Sequence, residues 1–306
     1  MNMMNIHPLI ALLVFPGGLF LMAGGLVYEW VDRKLLARFQ NRIGPRWFQP
    51  LADVVKLLSK EEVIPDGVNK TLFIALPVVA LAGALTAALY LPLAGLKPPF
   101  SFNGDLIVSL YMLSLMTLCL GLAGANTLNR FSLIGATRTL TQLFSYEAPF
   151  MLALMGPALA AGTWQISVVN DFAQQNWWMA VTQPIGFVIA LVGLMGKLEL
   201  PPFDAPEAET EIVAGALTEY SGRGFALFKI GKSVELLVGL TGLAAFYLGG
   251  LSNPLDFLLK TLSLLLIVAF LQSLFARLRI DQVVGLWWRI GALLALFNLL
   301  LVLVFK

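Results

Sequence analysis

Long apolar runs separated by short polar stretches dominate this chain, and their lengths define its elements. A helix that crosses a bilayer needs about 20 mostly apolar residues. Eight runs reach that length, approximately Pro8–Trp30, Thr71–Pro92, Leu106–Asn126, Gln142–Ala161, Trp178–Met195, Phe225–Leu248, Leu255–Phe275 and Leu286–Phe305. Pro149, Pro157 and Pro184 interrupt the fourth and fifth runs and blur their edges. The pattern predicts an all-α integral membrane protein, a bundle of about eight transmembrane helices. Neither an internal repeat nor a low-complexity linker is visible, so residues 1–306 read as one transmembrane domain.

One polar stretch has a helical period of its own. In Pro50–Glu62 the apolar residues Leu51, Val54, Val55, Leu57 and Leu58 recur beside Asp53, Lys56 and Lys60. That spacing predicts an amphipathic helix on the membrane surface or against a partner, ended by Pro65. Gln40, Asn41, Gly44, Pro45, Gln49 and Asp53 add polar and turn chemistry that an orientation signal does not need. The stretch reads as a docking surface for a soluble partner.

Charge gives the topology. Arg33, Lys34, Arg38, Arg42, Arg46, Lys56, Lys60 and Lys70 fall in the first loop, Arg130 and Arg138 in the third, Lys197 and Arg223 in the fifth, and Arg277, Arg279 and Arg289 in the seventh. These are most of the 20 basic residues, whereas the opposite loops hold Lys97, and Lys306 closes the chain. The positive-inside rule then puts both termini outside and the loops at 31–70 and 196–224 in the cytoplasm. Apolar residues make up 58% of the chain and charged residues 12%, against about 25% charged in soluble domains. No large soluble domain fits, and a net charge of +2 gives no sign of a nucleic-acid partner. One cysteine (Cys119) and one histidine (His7) cannot assemble an iron–sulfur cluster, a bis-histidine haem or a zinc site. Cys119 reads as a small buried hydrophobe, and His7 as an interfacial residue. No basic region precedes the first apolar run and no cleavage site follows it, so no cleavable signal peptide is expected.

Five of the 18 acidic residues, Asp204, Glu207, Glu209, Glu211 and Glu219, lie close together in an otherwise apolar protein. If helical, the segment sets Asp204, Glu207 and Glu211 on one face and Glu209 on another. Neighbouring carboxylates in a low dielectric do not all ionise readily, so one is expected to hold an exchangeable proton, as a relay requires. The plain alternative is a solvated acidic loop; Pro201, Pro202 and Pro206 before Ile212 and Val213 point instead to a segment folded back into the protein. Glu147 sits near the start of the fourth run, and Lys229, Lys232 and Glu235 enter the sixth. Lys232 and Glu235, three apart, are expected to pair; the plain reading is a structural pair that orients helices. Glu29 and Asp32 close the first run, where counter-charges to Arg33 and Lys34 would suffice.

Five motifs then carry a resemblance: DRKLLARFQNRIGP (Asp32–Pro45), QPLADVVKLLSKE (Gln49–Glu61), GATRTLTQLFSYE (Gly135–Glu147), PPFDAPEAETEIVAGALTEYSG (Pro201–Gly222) and ARLRIDQ (Ala276–Gln282). Spread over the whole length, they make the chain similar to the subunit 1 family of respiratory complex I and its relatives in membrane-bound hydrogenase and sulfane reductase complexes. The resemblance implies eight transmembrane helices in a prokaryotic cell membrane. It also implies a membrane anchor beneath a peripheral redox arm. Arg33, Lys34, Arg38, Gln40, Arg42, Gly44, Pro45, Gln49, Asp53, Arg138, Phe203, Tyr220, Arg277 and Arg279 would form the junction with that arm. A charge relay toward ion-pumping subunits would use Asp32, Glu147, Asp204, Glu207, Glu209, Glu211 and Glu219.

Departures from the family pattern shift that expectation. Only Arg46, Trp47 and Phe48 separate Pro45 from Gln49, a short connection similar to hydrogenase-type relatives and against a quinone site. Lys197 and Lys232 stand where complex I commonly has glutamates, with Glu199 and Glu235 nearby, and Asp32 stands where it usually has glutamate. The expected relay therefore runs through Glu199, Lys232 and Glu235. The chain is thus expected to be the non-catalytic anchor and coupling subunit of a ferredoxin-linked complex. Iron–sulfur clusters and a nickel–iron or related site would reside in partner subunits: an iron–sulfur small subunit and a hydrogenase-like large subunit. Antiporter-like membrane subunits would complete it, and this chain would hold no cofactor. The rivals are the quinone-site subunit of complex I and, more remotely, an autonomous secondary transporter, whose inverted repeats are not visible.

Overall fold

The computed structural model describes residues 13–176 and 179–305, and the side chain of Glu209 is not among what it describes. His7, the start of the first apolar run, Trp178 and Lys306 lie outside the described residues. The helices are α1 Gly18–Phe39, α2 Gln49–Ser59, α3 Lys70–Ala88, α4 Asp105–Ala125, α5 Arg130–Ala161, α6 Ile166–Gln175, α7 Pro184–Lys197, α8 Gly222–Tyr247, α9 Pro254–Leu274 and α10 Ile280–Phe305. Among the described residues six of them, α3, α4, α5, α8, α9 and α10, are long and apolar enough to cross a membrane. The α1 helix carries Glu29, Asp32, Arg33, Lys34 and Arg38, and α7 has 14 residues; both pack in the same bundle.

Local chemistry sets the helix starts. The Asn69 side chain accepts from the backbone N–H groups of Thr71 and Leu72, and that of Asn129 accepts from Phe131, which caps α3 and α5. The Asn129 cap starts α5 twelve residues before the expected Gln142. Its first turns carry Ser132, Arg138, Thr139 and Gln142, too polar to register as a membrane run, and they face the acidic loop. The fifth run also differs from expectation. After Gly162, at φ +72°, ends α5, the short α6 is inserted and α7 begins at Pro184. The surface helix α2 ends at Ser59, well before Pro65.

The α8 helix is the axis of the bundle. Of its most apolar stretch 89% is buried, against 39% for α9 and 22% for α10, so the last two helices turn their sides outward from the bundle. Its position explains why charges survive on it: every other helix of the charged region packs around α8 or α5.

Candidate functional site

The α7 helix ends at Lys197 and the chain reverses through Glu199, a non-glycine residue at φ +53°. A left-handed conformation is costly for such a residue and persists where its surroundings hold it. Here it turns the Glu199 carboxylate, 3% exposed, to within 2.6 Å of Lys232 Nζ on α8. One turn further along α8, Glu235, 2% exposed, lies 3.8 Å from Lys197 Nζ. The two segments are therefore cross-paired, each lysine facing the glutamate of the other. Lys197, 1% exposed, is also 3.9 Å from Glu147 on α5, nearly the same distance as from Glu235. Neither contact is short enough for a hydrogen bond, so a small change in local charge can shift the ammonium between its two carboxylates.

Both ends of this arrangement have partners. Ser114 on α4 donates to the Glu147 carboxylate. At the surface end Lys232 also binds Glu207 of the acidic loop. Glu235 in turn feels the charges of Lys232 and Glu199 besides that of Lys197. The charged groups thus form two sets, Glu207–Lys232–Glu199 at the surface end and Glu235–Lys197–Glu147–Ser114 behind it, and the Lys232 charge acting on Glu235 links them into one line. Burial drives the Glu199 carboxyl above its ordinary range, and the Lys232 charge only partly opposes this.

The expected single acidic face does not form. Ala205–Glu207 is one turn of 3₁₀ helix and Glu209–Ile212 one turn of α-helix, and the backbone between them breaks the register. Prolines 201, 202 and 206 leave too few backbone donors for a continuous helix. Asp204 takes Arg277 in a two-point contact at 3.0 and 2.8 Å, and Glu211 binds Arg138 at 2.8 Å. These two carboxylates lie in arginine clamps at the surface, and Glu207 alone of the three reaches inward. Glu219 accepts from Asn129, away from the line of charge, and Asp32 accepts from Gln272 of α9 at 3.3 Å. Lys232 does not pair with Glu235, because Glu199 and Glu207 both offer it closer oxygens.

The first loop is tied to the same helix. Arg33 reaches Glu29 at 2.5 Å and Asp53 at 3.6 Å; Lys229 of α8 meets Asp53 at 3.1 Å, and Ser233 donates to Glu29 at 2.6 Å. Desolvation pushes the Asp53 carboxyl up, but Lys229, with Gln49 and Arg33, outweighs it and holds the group below its ordinary value. Lys34 donates to Ile43 O, Trp30 to Pro45 O, and Gly44 turns the chain at φ +74°. Arg38, Gln40, Arg42 and Arg279 are exposed, as are Trp47, Leu51, Val55 and Leu58. Phe203 and Tyr220 are not on that surface. Phe203 is buried against Trp287, and Tyr220 stacks on Phe73 at 4.1 Å and donates to its carbonyl. Their aromatic bulk anchors the acidic loop in the core.

Several residues of the site lie outside the expected relay and junction positions, Glu29 and Lys229 among them. Ser114 and Ser233 carry no motif signal beyond a polar group in an apolar run, and Lys197 stands out only as a departure from the family pattern. Gln142 donates to both Gly196 O and Phe203 O, and so joins the end of α7 to the acidic loop. Among the described residues no group of three or more His, Cys, Asp or Glu is placed to hold a metal.

A family model described as NADH dehydrogenase matches residues 10–303. The chain belongs to the NADH dehydrogenase family. It is 33% identical to an NADH-quinone oxidoreductase subunit of Dehalococcoides mccartyi (strain CBDB1), over 97% of this chain and 86% of that one. To the corresponding NADH-quinone oxidoreductase protein of Geobacter sulfurreducens it is 36% identical, over 92% and 90%. Its fold is similar to a chain of the membrane-bound sulfane sulfur reductase, an archaeal respiratory membrane complex. The TM-score is 0.84 at 24% identity, with 92% of this chain and 96% of that one covered. As a member of this family the chain is a multi-pass membrane subunit of the complex I-like class.

Proposed function

We propose that this NADH dehydrogenase family member anchors a peripheral redox arm and couples its electron transfer to ion movement in neighbouring membrane subunits. The observation that carries the reading is the line of charge from Glu207 to Glu147, with its crossed Lys232–Glu199 and Lys197–Glu235 pairs. Buried ionisable groups inside a membrane bundle are costly, and a role in moving charge accounts for them. Reduction of a cluster beside the acidic loop would change the field on Glu207. The Lys232 ammonium would shift between Glu207 and Glu199, and Lys197 would answer by moving between Glu235 and Glu147. The junction surface would be α2 with exposed Arg38, Arg42, Arg277 and Arg279, all on the cytoplasmic side.

The complex is of the ferredoxin-linked hydrogenase or sulfane reductase type, a reading supported by the short Arg46–Phe48 connection. Its electron acceptor and metal sites lie in the iron–sulfur and hydrogenase-like partners. A second reading, a quinone-site role, is favoured by the 33–36% identity to proteins named for NADH-quinone oxidoreductase. Inhibition of the purified complex by a quinone-site inhibitor would select it. For the coupling itself the test is Glu147→Gln in vesicles: ion transport is lost while electron transfer and assembly survive. Normal transport by that variant would remove Glu147 from the relay.

A further inference from the structure

Charged groups lie on two sides of α8. Lys232 and Glu235 belong to the line of charge, whereas Lys229 and Ser233, one turn apart, face α1 and α2. There they close a ring. Lys229 Nζ is 3.1 Å from Asp53 of α2, and Arg33 of α1 reaches the same carboxylate at 3.6 Å. Glu29 holds Arg33 at 2.5 Å, and Ser233 completes the ring by donating to Glu29 at 2.6 Å. Gln49 donates to the second Asp53 oxygen at 3.0 Å.

The three helices of the ring are not held alike. A Cβ at Gly25 would lie 2.8 Å from the Ser233 backbone, so α1 and α8 meet backbone to backbone with no room to shift. Of its eleven residues α2 buries Pro50 and Val54, while Leu51, Val55 and Leu58 are exposed. A helix this short is marginal on its own backbone. Its seat therefore depends on Asp53, and α2 is the member of the ring able to move.

We infer that the Asp53–Lys229 contact is an interlock: a seated α2 neutralises Lys229 and frees the line of charge to respond, and an unseated α2 stalls it. Lys229 is one turn before Lys232, where two like charges repel. In the seated position Asp53 cancels the first of them, so Lys232 answers to Glu207 and Glu199. Without Asp53 the Lys229 ammonium keeps its charge and loses its counter-ion. That fixed positive charge holds Glu207 and Glu199 ionised whatever the state of the arm, and Lys232 stays where it is. Ion movement is then open only while the arm is docked on α2. The inference rests on the reading of arm and line given above and adds its regulation.

The test uses the whole complex in vesicles, turned over with dithionite-reduced methyl viologen. Electrons are read from viologen oxidation and charge from an oxonol dye. Asp53→Asn releases Lys229 and should lower the charge moved per electron roughly fivefold or more. Adding Lys229→Met takes the released cation away and should restore most of the native ratio. Hydrogen exchange over residues 49–59 should be faster than native in both variants, so the restored ratio does not come from a reseated α2. A double variant as poor as Asp53→Asn would make the ring merely structural and overturn the interlock. If Asp53→Asn impairs assembly, Lys229→Met alone decides: it holds no cation to release, and a lowered ratio there overturns the proposal. Glu147→Gln in the same vesicles keeps the two claims apart. A native ratio in Glu147→Gln counts against the line itself; loss there beside a native ratio in Asp53→Asn counts against the interlock alone.

Discussion

Replacing Lys197 by Met removes the one cation between Glu147 and Glu235. At an effective dielectric of about 20, a unit charge pair near 3.8 Å is worth about 4 kcal/mol. Desolvation of the ions offsets most of that in the native protein, so the intact arrangement adds little net stability. Breaking it is another matter. With Lys197 gone, Glu235 keeps only the weaker pull of Lys232 and Glu147 only its Ser114 donor, and such losses cost about 3–5 kcal/mol. Lys197→Met should therefore lower the melting temperature of the purified complex by several degrees and reduce ions moved per electron in vesicles at least tenfold. The double variant Lys197→Met/Glu235→Gln removes one of the two orphaned charges and leaves Glu147 with its Ser114 donor. It should recover about 1–3 kcal/mol of the lost stability yet still fail to pump. A double variant no more stable than Lys197→Met alone would refute the idea that Lys197 is held by both carboxylates. Normal pumping by either variant would refute its place in the line.

The remaining predictions concern how the acidic loop and α2 are held. A Cβ at Gly135 would collide with the backbone of Gly215 and Ala216, so Gly135→Ala should push the loop from α5 and cost about 1–3 kcal/mol, seen as faster hydrogen exchange over residues 203–218. Arg277→Ala releases Asp204 and should loosen the same segment by about 1 kcal/mol, with α2 unaffected. Because the Asp53 carboxyl is held below its ordinary 3.8, its contribution is present above that pH and disappears as pH falls through the lowered value. Asp53→Asn should flatten that part of the acid-stability curve and expose α2 to proteolysis. Glu199 has the opposite sign. Its carboxyl is raised from 4.5, so its contribution is fully present below that pH and is lost as pH rises through the raised value; Glu199→Gln should abolish this slope.

Apolar run length alone revealed the bundle, because a membrane helix is written into sequence as uninterrupted hydropathy. It did not reveal the first three turns of α5, whose Arg138 and Gln142 are polar for the sake of a loop some 60 to 70 residues away. The motifs mark Glu147 and Glu207, the positions around them expected to differ from the family mark Glu199, Lys232 and Glu235, and the fold brings these together. Spacing misassigns their partners. Lys232 and Glu235 are three apart on α8, but the left-handed turn at Glu199 carries a competing carboxylate to Lys232, and Glu235 finds Lys197 across the helix interface. A turn of that kind leaves no signature in a glutamate. The same crossing sets each of the two lysines opposite the glutamate of the other segment, so both buried pairs are satisfied across the helix interface. Tyr220 and Phe203 look like junction residues because they sit in the acidic motif, whereas their burial follows from aromatic size and the apolar pockets beneath them.

The most direct test of the coupling claim is a redox-difference infrared spectrum of the complex, recorded as the peripheral clusters are reduced. A charge arriving beside the acidic loop should shift the carboxyl bands of the Glu207–Lys232–Glu199 group. That band change should vanish in Glu199→Gln and persist in Glu219→Gln, whose carboxylate is held by Asn129 away from the line. A native spectrum with no carboxyl change on reduction, or one unchanged by Glu199→Gln, would contradict the account.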